Sequence, residues 1–183
     1  MSHADRPDPD AVTLDDGSTA ATAEDVLAAL EALGVEHQTL IHHALYTVED
    51  AKQVEYSSPG AHTKNLFLRN KKGRMFLVVL EQDRVLDLKA LRDLLAAPGG
   101  QLAFASTDRM LRYLGVVPGS VTPLAAVNDT GGAVRIVIDS ALMEEEWIWL
   151  HPCRNTHSTR IRTQDLLRVL DAWHHPAEVL CFD

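Results

Sequence analysis

The sequence predicts an α+β fold: a single domain with one mixed, mostly antiparallel sheet surrounded by helices. Three observations carry this reading. Segments with strand patterning outnumber helical ones and do not alternate with them one for one, which excludes a doubly wound nucleotide-binding arrangement. Residues 64 to 69 and 74 to 80 form a hairpin pattern around the polar loop Asn70, Lys71, Lys72 and Gly73. The run "MFLVVL" from Met75 to Leu80 is apolar without alternation, as in a central strand covered on both faces.

The elements follow in chain order. Residues 1 to 21 are acidic and rich in Asp, Pro, Ser and Gly, and read as a disordered tail. The folded domain then spans residues 22 to 183. Thr22 caps a first helix in which Val26, Leu27, Leu30 and Leu33 recur at helical spacing and Gly34 is the stop. "VEHQTLIH" is a strand, and "YTVEDAKQVEY" a short helix capped by Thr47. After "SSPGAH" comes the hairpin. Asp87 caps "LKALRDLLA", with Leu88, Leu91, Leu94 and Leu95 on one face, and "PGG" ends it. "QLAFA" is a strand. Ser106 or Thr107 caps "DRMLRYLG", closed by Gly115. "VPGSVTPLAAVND" is a loop passing into a strand, and "AVRIVID" alternates as a strand. A short acidic helix around Leu142 to Glu146 follows. "WIWL" and "STRIR" are strands, Thr163 caps the last helix, and "AEVLCF" is the closing strand.

Composition narrows the function classes. The 183 residues suit one domain, and 46% hydrophobic and 23% charged residues are ordinary for a globular protein. No apolar run approaches the roughly 20 residues needed to cross a bilayer, and the N-terminus shows no secretory pattern. Two cysteines, Cys153 and Cys181, make no disulfide framework and favour a reduced, cytoplasmic setting. The net charge of -9 argues against general polyanion or duplex DNA binding. Two local basic patches stand out, "RNKKGR" (69 to 74) and "RNTHSTRIR" (154 to 162).

Phosphate-loop, GxGxxG, GxSxG and HExxH signatures are absent. Cys153 has histidines nearby but reads as a small buried residue. His151, Cys153 and His157 are zinc-ligand types at a spacing that matches no common finger. The "GSVTP" loop, Gly119 to Pro123, is either a plain turn or a set of backbone donors for a substrate oxygen. Lys64 is chemically the oddest residue. Strand alternation puts it on one face with Leu66 and Leu68, and Thr63, Asn65 and Phe67 on the other. It either snorkels past the strand end or guards the mouth of a pocket.

Four separated blocks together, "GAHTKNLFL", "LGVVPGSVTPLAAVND", "VRIVID" and "HPCRNTHST", resemble the prolyl-tRNA editing proteins of the YbaK/ProX superfamily, over about residues 22 to 183. The resemblance implies the fold of the domain associated with prolyl-tRNA synthetase. It also implies hydrolysis in trans of the ester of mischarged tRNA(Pro). The "HTKNLFL" form is similar to the branch acting on alanyl-tRNA(Pro). On this likeness Lys64 falls on the family's essential lysine, Asn65 on the asparagine beside it, and Gly119, Ser120 and Pro123 in its GxxxP loop. His151, Asn155 and Thr159 fall in a block lining the same cleft. Cys153 departs from the aliphatic residue usual there, which leaves the preferred amino acid open between alanine, cysteine and another small residue. The implied reaction needs no cofactor or metal. The implied partners are the tRNA(Pro) acceptor end and, second, prolyl-tRNA synthetase. Lys71, Lys72, Arg74, Arg154, Arg160 and Arg162 are candidate phosphate contacts. Lys64 is expected to bring its ammonium to the Gly119 loop. Two other readings stay open: a non-catalytic tRNA- or synthetase-binding module, and a small metal-dependent hydrolase using His151, Cys153 and His157.

Overall fold

A computed structural model describes residues 11–95 and 100–182. Its helices and strands run α1 (Ala23–Ala32), β1 (His37–Ile41), α2 (Val48–Ala51), β2 (Ala61–Arg69), β3 (Met75–Glu81), α3 (Leu88–Leu94), β4 (Ala103–Phe104), α4 (Thr107–Arg109), β5 (Val134–Asp139), β6 (Trp147–Leu150), β7 (His157–Arg162), α5 (Thr163–Ala172) and β8 (Glu178–Leu180). The strands make one sheet in the order β1-β7-β6-β2-β3-β5-β8, with β4 on β2. β1–β7, β7–β6, β2–β3 and β2–β4 pair antiparallel; β2–β6, β3–β5 and β5–β8 pair parallel.

The central strands explain the layers. Residues 75–80 are all buried, and their alternation divides them between two cores. Met75, Leu77 and Val79 join Val26, Leu30, Leu124, Leu166 and Val169 on the face covered by α1, α5 and the 123–128 segment. Phe76, Val78 and Leu80 join Leu91, Leu95 and Phe182 under α3. β2 obeys the same alternation: Phe67 belongs to the first core, Leu66 and Leu68 to the second. Lys64 therefore points to the α3 face and Asn65 to the other.

Local signals act where expected at several termini. Thr22 and Thr47 each form a reciprocal capping box, with Asp25 and Asp50. Asp87 accepts from Lys89 N and Ser106 from Arg109 N. Gly115, at φ 63°, closes the π-type turn Met110–Leu114 that continues α4. Its close packing also demands glycine: a Cβ would sit 2.5 Å from Ala20 Cβ and 2.7 Å from Asn128 Nδ2.

Five expectations change. The segment Pro123–Asn128 is a 3-10 helix, not a strand, because Pro123 starts it and Thr122 Oγ1 caps Leu124 N. The acidic segment is a 3-10 turn over Ser140–Glu144. Thr163 is the first residue of α5, not its cap; Arg162 holds the cap position without a side-chain bond. His175, which in the sequence reads with His174 as an ordinary surface or strand-end residue, is buried with Nε2 2.6 Å from the Asp129 carbonyl. Residues 11–21 are not a free tail: Val12, Leu14 and Ala20 are buried together against Leu111, and Thr13 bridges Thr19. Residues 1–10, and Pro98 and Gly99 of the expected α3 stop, lie outside the described residues.

Candidate active site at a gap in the sheet

The edge of β2 opposite β3 is only partly covered. β6 pairs with it at Ala61 and His62, and β4 at Leu68 and Arg69. Between them, among the described residues, no strand pairs with this edge at Asn65, whose only strand partner is Val79 of β3. His62 O accepts from Gln82 N beyond β3, whereas Phe67 O accepts from Ala105 N beside β4. A strand residue turns its own N–H and C=O to one side, alternating along the chain. The main chain of Asn65, like that of Phe67, thus faces the gap.

A cavity of about 290 Å³ occupies this gap. Thr63, Lys64, Asn65 and Phe67 form its β2 wall, Pro118, Gly119 and Val121 a second, and Leu45 to Val48 a third, with His151 at the end of β6. The walls are tied together by main-chain contacts. Asn155 Nδ2 donates to Leu45 O at 2.9 Å, and Leu45 N to Asn155 O at 3.0 Å. Gly119 has φ 94°, and a Cβ there would lie 3.1 Å from Leu45 O and 3.2 Å from Asn155 Nδ2. Glycine is required for its conformation and for the close approach.

Polar groups converge without saturating one another. Asn65 Oδ1 and Ser120 Oγ are buried and have no hydrogen-bond partner. A buried acceptor left unpaired costs about 1–3 kcal/mol, so its presence beside a cavity points to a ligand donor. His151 Nδ1 lies 2.7 Å from His157 O; a carbonyl only accepts, so Nδ1 carries the proton. Burial pushes the His151 pKa down, against a smaller upward effect from that hydrogen bond. At neutral pH the ring is uncharged and its free lone pair is on Nε2. His42, missed in the sequence, has its ring centre 6.3 Å from that of His151 and bonds Ser158 Oγ at 2.9 Å.

The residues expected at the site separate into groups. Lys64, Asn65, Gly119 and His151 line the cavity. The expected contact between Lys64 and the Gly119 loop is replaced by another: its ammonium donates to the Arg84 carbonyl. Alternation is the reason, since it sends Lys64 to the face of Leu66 and Leu68. Ser120 and Pro123 are buried beneath the loop, and Asn155 positions Leu45. None of these three borders the cavity, nor does Thr159, which is buried in β7 and pairs with Thr39 Oγ1 at 2.9 Å.

The basic candidates lie in different places. Lys71, Lys72 and Arg74 sit on a turn whose amides at 72 and 74 both donate to Asn70 Oδ1 at 3.0 Å. That turn starts five residues beyond Asn65, roughly 17 Å along an extended strand. Arg160 and Arg162 stack on Trp147, at 3.9 and 4.3 Å from the ring centre. Arg162 also pairs with Glu146 at 2.7 Å and Glu36 at 3.6 Å. Arg154 stands in the β6–β7 loop, near enough to help lower the His157 pKa, whose larger cause is burial.

The donor set of the metal reading does not converge. Cys153 packs in the core, and burial alone pushes its thiol up to about 12, whereas His151 borders the cavity. Among the described residues no group of three His, Cys, Asp or Glu side chains could hold a metal ion. A larger cavity, about 640 Å³, lies between the β3–α3 loop, α3 and Phe182. It contains none of the expected site residues, and its lining brings no unpaired polar group to a gap in the sheet.

Comparison with known proteins gives the family and the fold. Residues 42–169 match the aminoacyl-tRNA editing domain family. The chain is 33% identical over 148 residues to the prolyl-tRNA editing protein ProX of Acetoanaerobium sticklandii, covering 80% of this chain and 89% of that one. It is 38% identical over 156 residues to the prolyl-tRNA synthetase associated domain-containing protein 1 of Danio rerio, covering 84% of each. A crystal structure of a candidate trans-editing enzyme for prolyl tRNA synthetase superposes with a TM-score of 0.69 at 22% identity, over 91% of this chain and 99% of that one. With the family match covering most of the domain and a relative above 30% identity along most of its length, the chain belongs to the YbaK/ProX superfamily of aminoacyl-tRNA editing domains.

Proposed function

We propose that this protein is a trans-editing deacylase that hydrolyses the ester of mischarged tRNA(Pro), with alanyl-tRNA(Pro) as its preferred substrate. The observation that carries the reading is the gap beside Asn65, where a cavity of about 290 Å³ meets an unpaired buried acceptor, the Gly119 loop and a neutral histidine. The kinship with a protein named for prolyl-tRNA editing supports the substrate class.

An aminoacyl ester is already activated, so a site can act by holding it, placing a water and stabilising the oxyanion. Water attacks the ester carbon and the bond to the ribose oxygen breaks. The amino acid leaves with the water's oxygen, and the released ribose oxygen takes a proton of that water to become a hydroxyl. The backbone of the Gly119 loop would donate to the oxyanion, and His151 Nε2, the unprotonated ring nitrogen, would accept from the water and orient it. Lys64 rests on the Arg84 carbonyl at the edge of the cavity, a flexible cation within the lining that can be redirected to the incoming acceptor end. Val48, Phe67, Met110 and Val121 bound the space for the side chain. A wall of this kind rejects the larger proline more readily than a smaller residue.

The tRNA stem would run over the basic rim, with Arg160 on its Trp147 platform and Arg154 the nearer phosphate contacts, and Lys71, Lys72 and Arg74 the farther ones. The test is release of amino acid from a panel of alanyl-, cysteinyl- and prolyl-tRNA(Pro). Alanine is expected to leave fastest and proline to be spared. Turnover of none of them would overturn the deacylase reading. Binding of tRNA or prolyl-tRNA synthetase without turnover would assign a non-catalytic module instead.

A further inference from the structure

We infer that Tyr46 and Phe104 form an aromatic rim that stacks the terminal base of the acceptor end, so the site recognises an aminoacyl nucleoside and not the amino acid ester alone. This assignment rests on the aminoacyl-ester reading above. Three features of the cavity lead to it.

The first is exposure. A large apolar side chain standing singly in water is ordinary; several at one cavity are not. Among the described residues the exposed ones are Ile41, Tyr46, Val85, Leu94, Phe104 and Val179. Ile41 and Val179 belong to the edge strands β1 and β8, and Val85 and Leu94 border the larger cavity. The two aromatic ones, Tyr46 at 40% and Phe104 at 61%, both line the cavity beside Asn65.

The second is that both rings stand on fixed main chain. Phe104 is one of the two residues of β4, both exposed, between the buried Leu102 and Ala105. Its strand is held to β2 by the pairing with Leu68 and by the bond from Ala105 N to Phe67 O. The Tyr46 amide donates to Asp50 at 3.0 Å, and its ring stands over the Gly119 loop, where a glycine Cβ would lie 3.1 Å from Tyr46 Cδ1. Rings placed in advance lower the cost of ordering a ligand.

The third is charge. Lys64 lies in the lining, and no Asp or Glu does. An apolar side chain of a protein partner could use the rings but leaves Lys64 without a counter-charge. A terminal nucleotide supplies both a flat base to stack and a phosphate. About 290 Å³ is at the low end for a small-molecule pocket. The aminoacyl group and ribose fill it, and the base stays at the rim.

Two stable amides test this: 3′-deoxy-3′-(L-alanylamino)adenosine and 1,4-anhydro-3-deoxy-3-(L-alanylamino)-D-ribitol, the same amide with hydrogen in place of adenine. Binding to the full chain is measured by NMR titration, with the Phe and Tyr ring signals followed. The adenosine compound is expected to bind about tenfold or more tighter, as for one stacked base, and to shift both rings. Phe104→Ala, Phe104→Leu and Tyr46→Leu should each reduce that preference, since leucine keeps apolar bulk without a flat face, and Phe104→Trp should keep it. Phe104 is mostly exposed, so its variants should hold the parent's urea midpoint. A preference that falls in the variants of either ring supports the rim even in a protein that deacylates nothing. Equal affinities, binding of neither compound, or a preference kept in both Phe104→Ala and Tyr46→Leu overturns it even in an active deacylase.

Discussion

Two pairs of buried polar residues use the same chemistry to opposite ends. Asn128 and Asp129, at the end of the 3-10 helix, are saturated. Asn128 accepts from Ala21 N and donates to Leu114 O, both at 2.8 Å. Asp129 accepts from Ala133 N at 3.0 Å and Val134 N at 2.7 Å. These bonds tie the N-terminal segment, the α4 turn and the start of β5 into one unit. Asn65, half-buried at the cavity, and Ser120, buried beside it, are the reverse: each has a buried oxygen with no partner among the described residues. A saturated buried amide contributes to folding. An unsaturated one costs stability in the free protein and recovers it when a ligand arrives. The unpaired atom marks a site only where the residue also lines a cavity, as Asn65 does; Asp139 Oδ2 and Thr163 Oγ1 have no hydrogen-bond partner either, and neither residue lines the 290 Å³ or the 640 Å³ cavity.

The contrast can be broken from either side. The largest effect is expected for Asn65→Ala, which should lower kcat/KM for alanyl-tRNA(Pro) by about 10–100-fold, as for loss of one hydrogen bond to the substrate at about 1–3 kcal/mol. Its urea midpoint should stay near that of the parent, because no protein bond is lost. A comparable loss of stability instead of activity would return Asn65 to the framework. Asn128→Ala should do the opposite. It leaves Ala21 N and Leu114 O unpaired in the interior and should cost about 2–6 kcal/mol in denaturant unfolding, at one to three per orphaned group. The activity of its folded fraction should be kept.

Gly119→Ala lies between the two. A Cβ at φ 94° meets the Leu45 carbonyl, so about 1–2 kcal/mol of stability should go from backbone strain together with a fall in kcat. Unaltered turnover would show that the loop only packs.

A smaller effect concerns pH. Burial lowers the pKa of His151 from its ordinary 6.5, and His62 and His157 shift the same way for the same leading reason. As pH falls through about 6.5 the unfolded chain takes protons that the folded one resists. Stability should therefore be independent of these groups above that pH, decline below it, and level off beneath the folded values. The decline should be shallower in His151→Gln; an identical pH profile of urea midpoints would remove His151 from this linkage. The smallest change is expected for Arg162→Ala, whose exposed ion pairs are worth under about 1 kcal/mol. Arg160→Ala should cost more in tRNA affinity and flatten its salt dependence.

Much of this arrangement is legible along the chain. The double layer follows from Met75 to Leu80, and the capping boxes at Thr22 and Thr47 from residue type and spacing. Placing Lys64 opposite Asn65 needs only the period of two. The consequence for Lys64 is harder to read, since the partner it finds, the Arg84 carbonyl, lies beyond the next strand. Val12, Leu14 and Ala20 were hidden in an acidic segment because their partner, Leu111, is far away in sequence. Thr159 carries the same signal as its neighbours in the "RNTHST" block, yet the register of β7 on β1 turns it to Thr39. Tyr46, Gln82 and His42 have no local signal that would place them near the site.

By itself the sequence determined the layers of the sheet, the helix starts at Thr22, Thr47 and Asp87, the glycine-proline loop and the family. These rest on short-range periodicity, backbone preferences and blocks of matching residues. Tertiary structure alone decided that β6 and β4 leave β2 uncovered at Asn65. It also decided that Asn155 binds the Leu45 segment to the Gly119 loop, and that Lys64 rests on Arg84. Each depends on which strands pair and where they part, and pairing brings together residues more than a hundred positions apart, such as His37 and Ile161, that no local pattern relates.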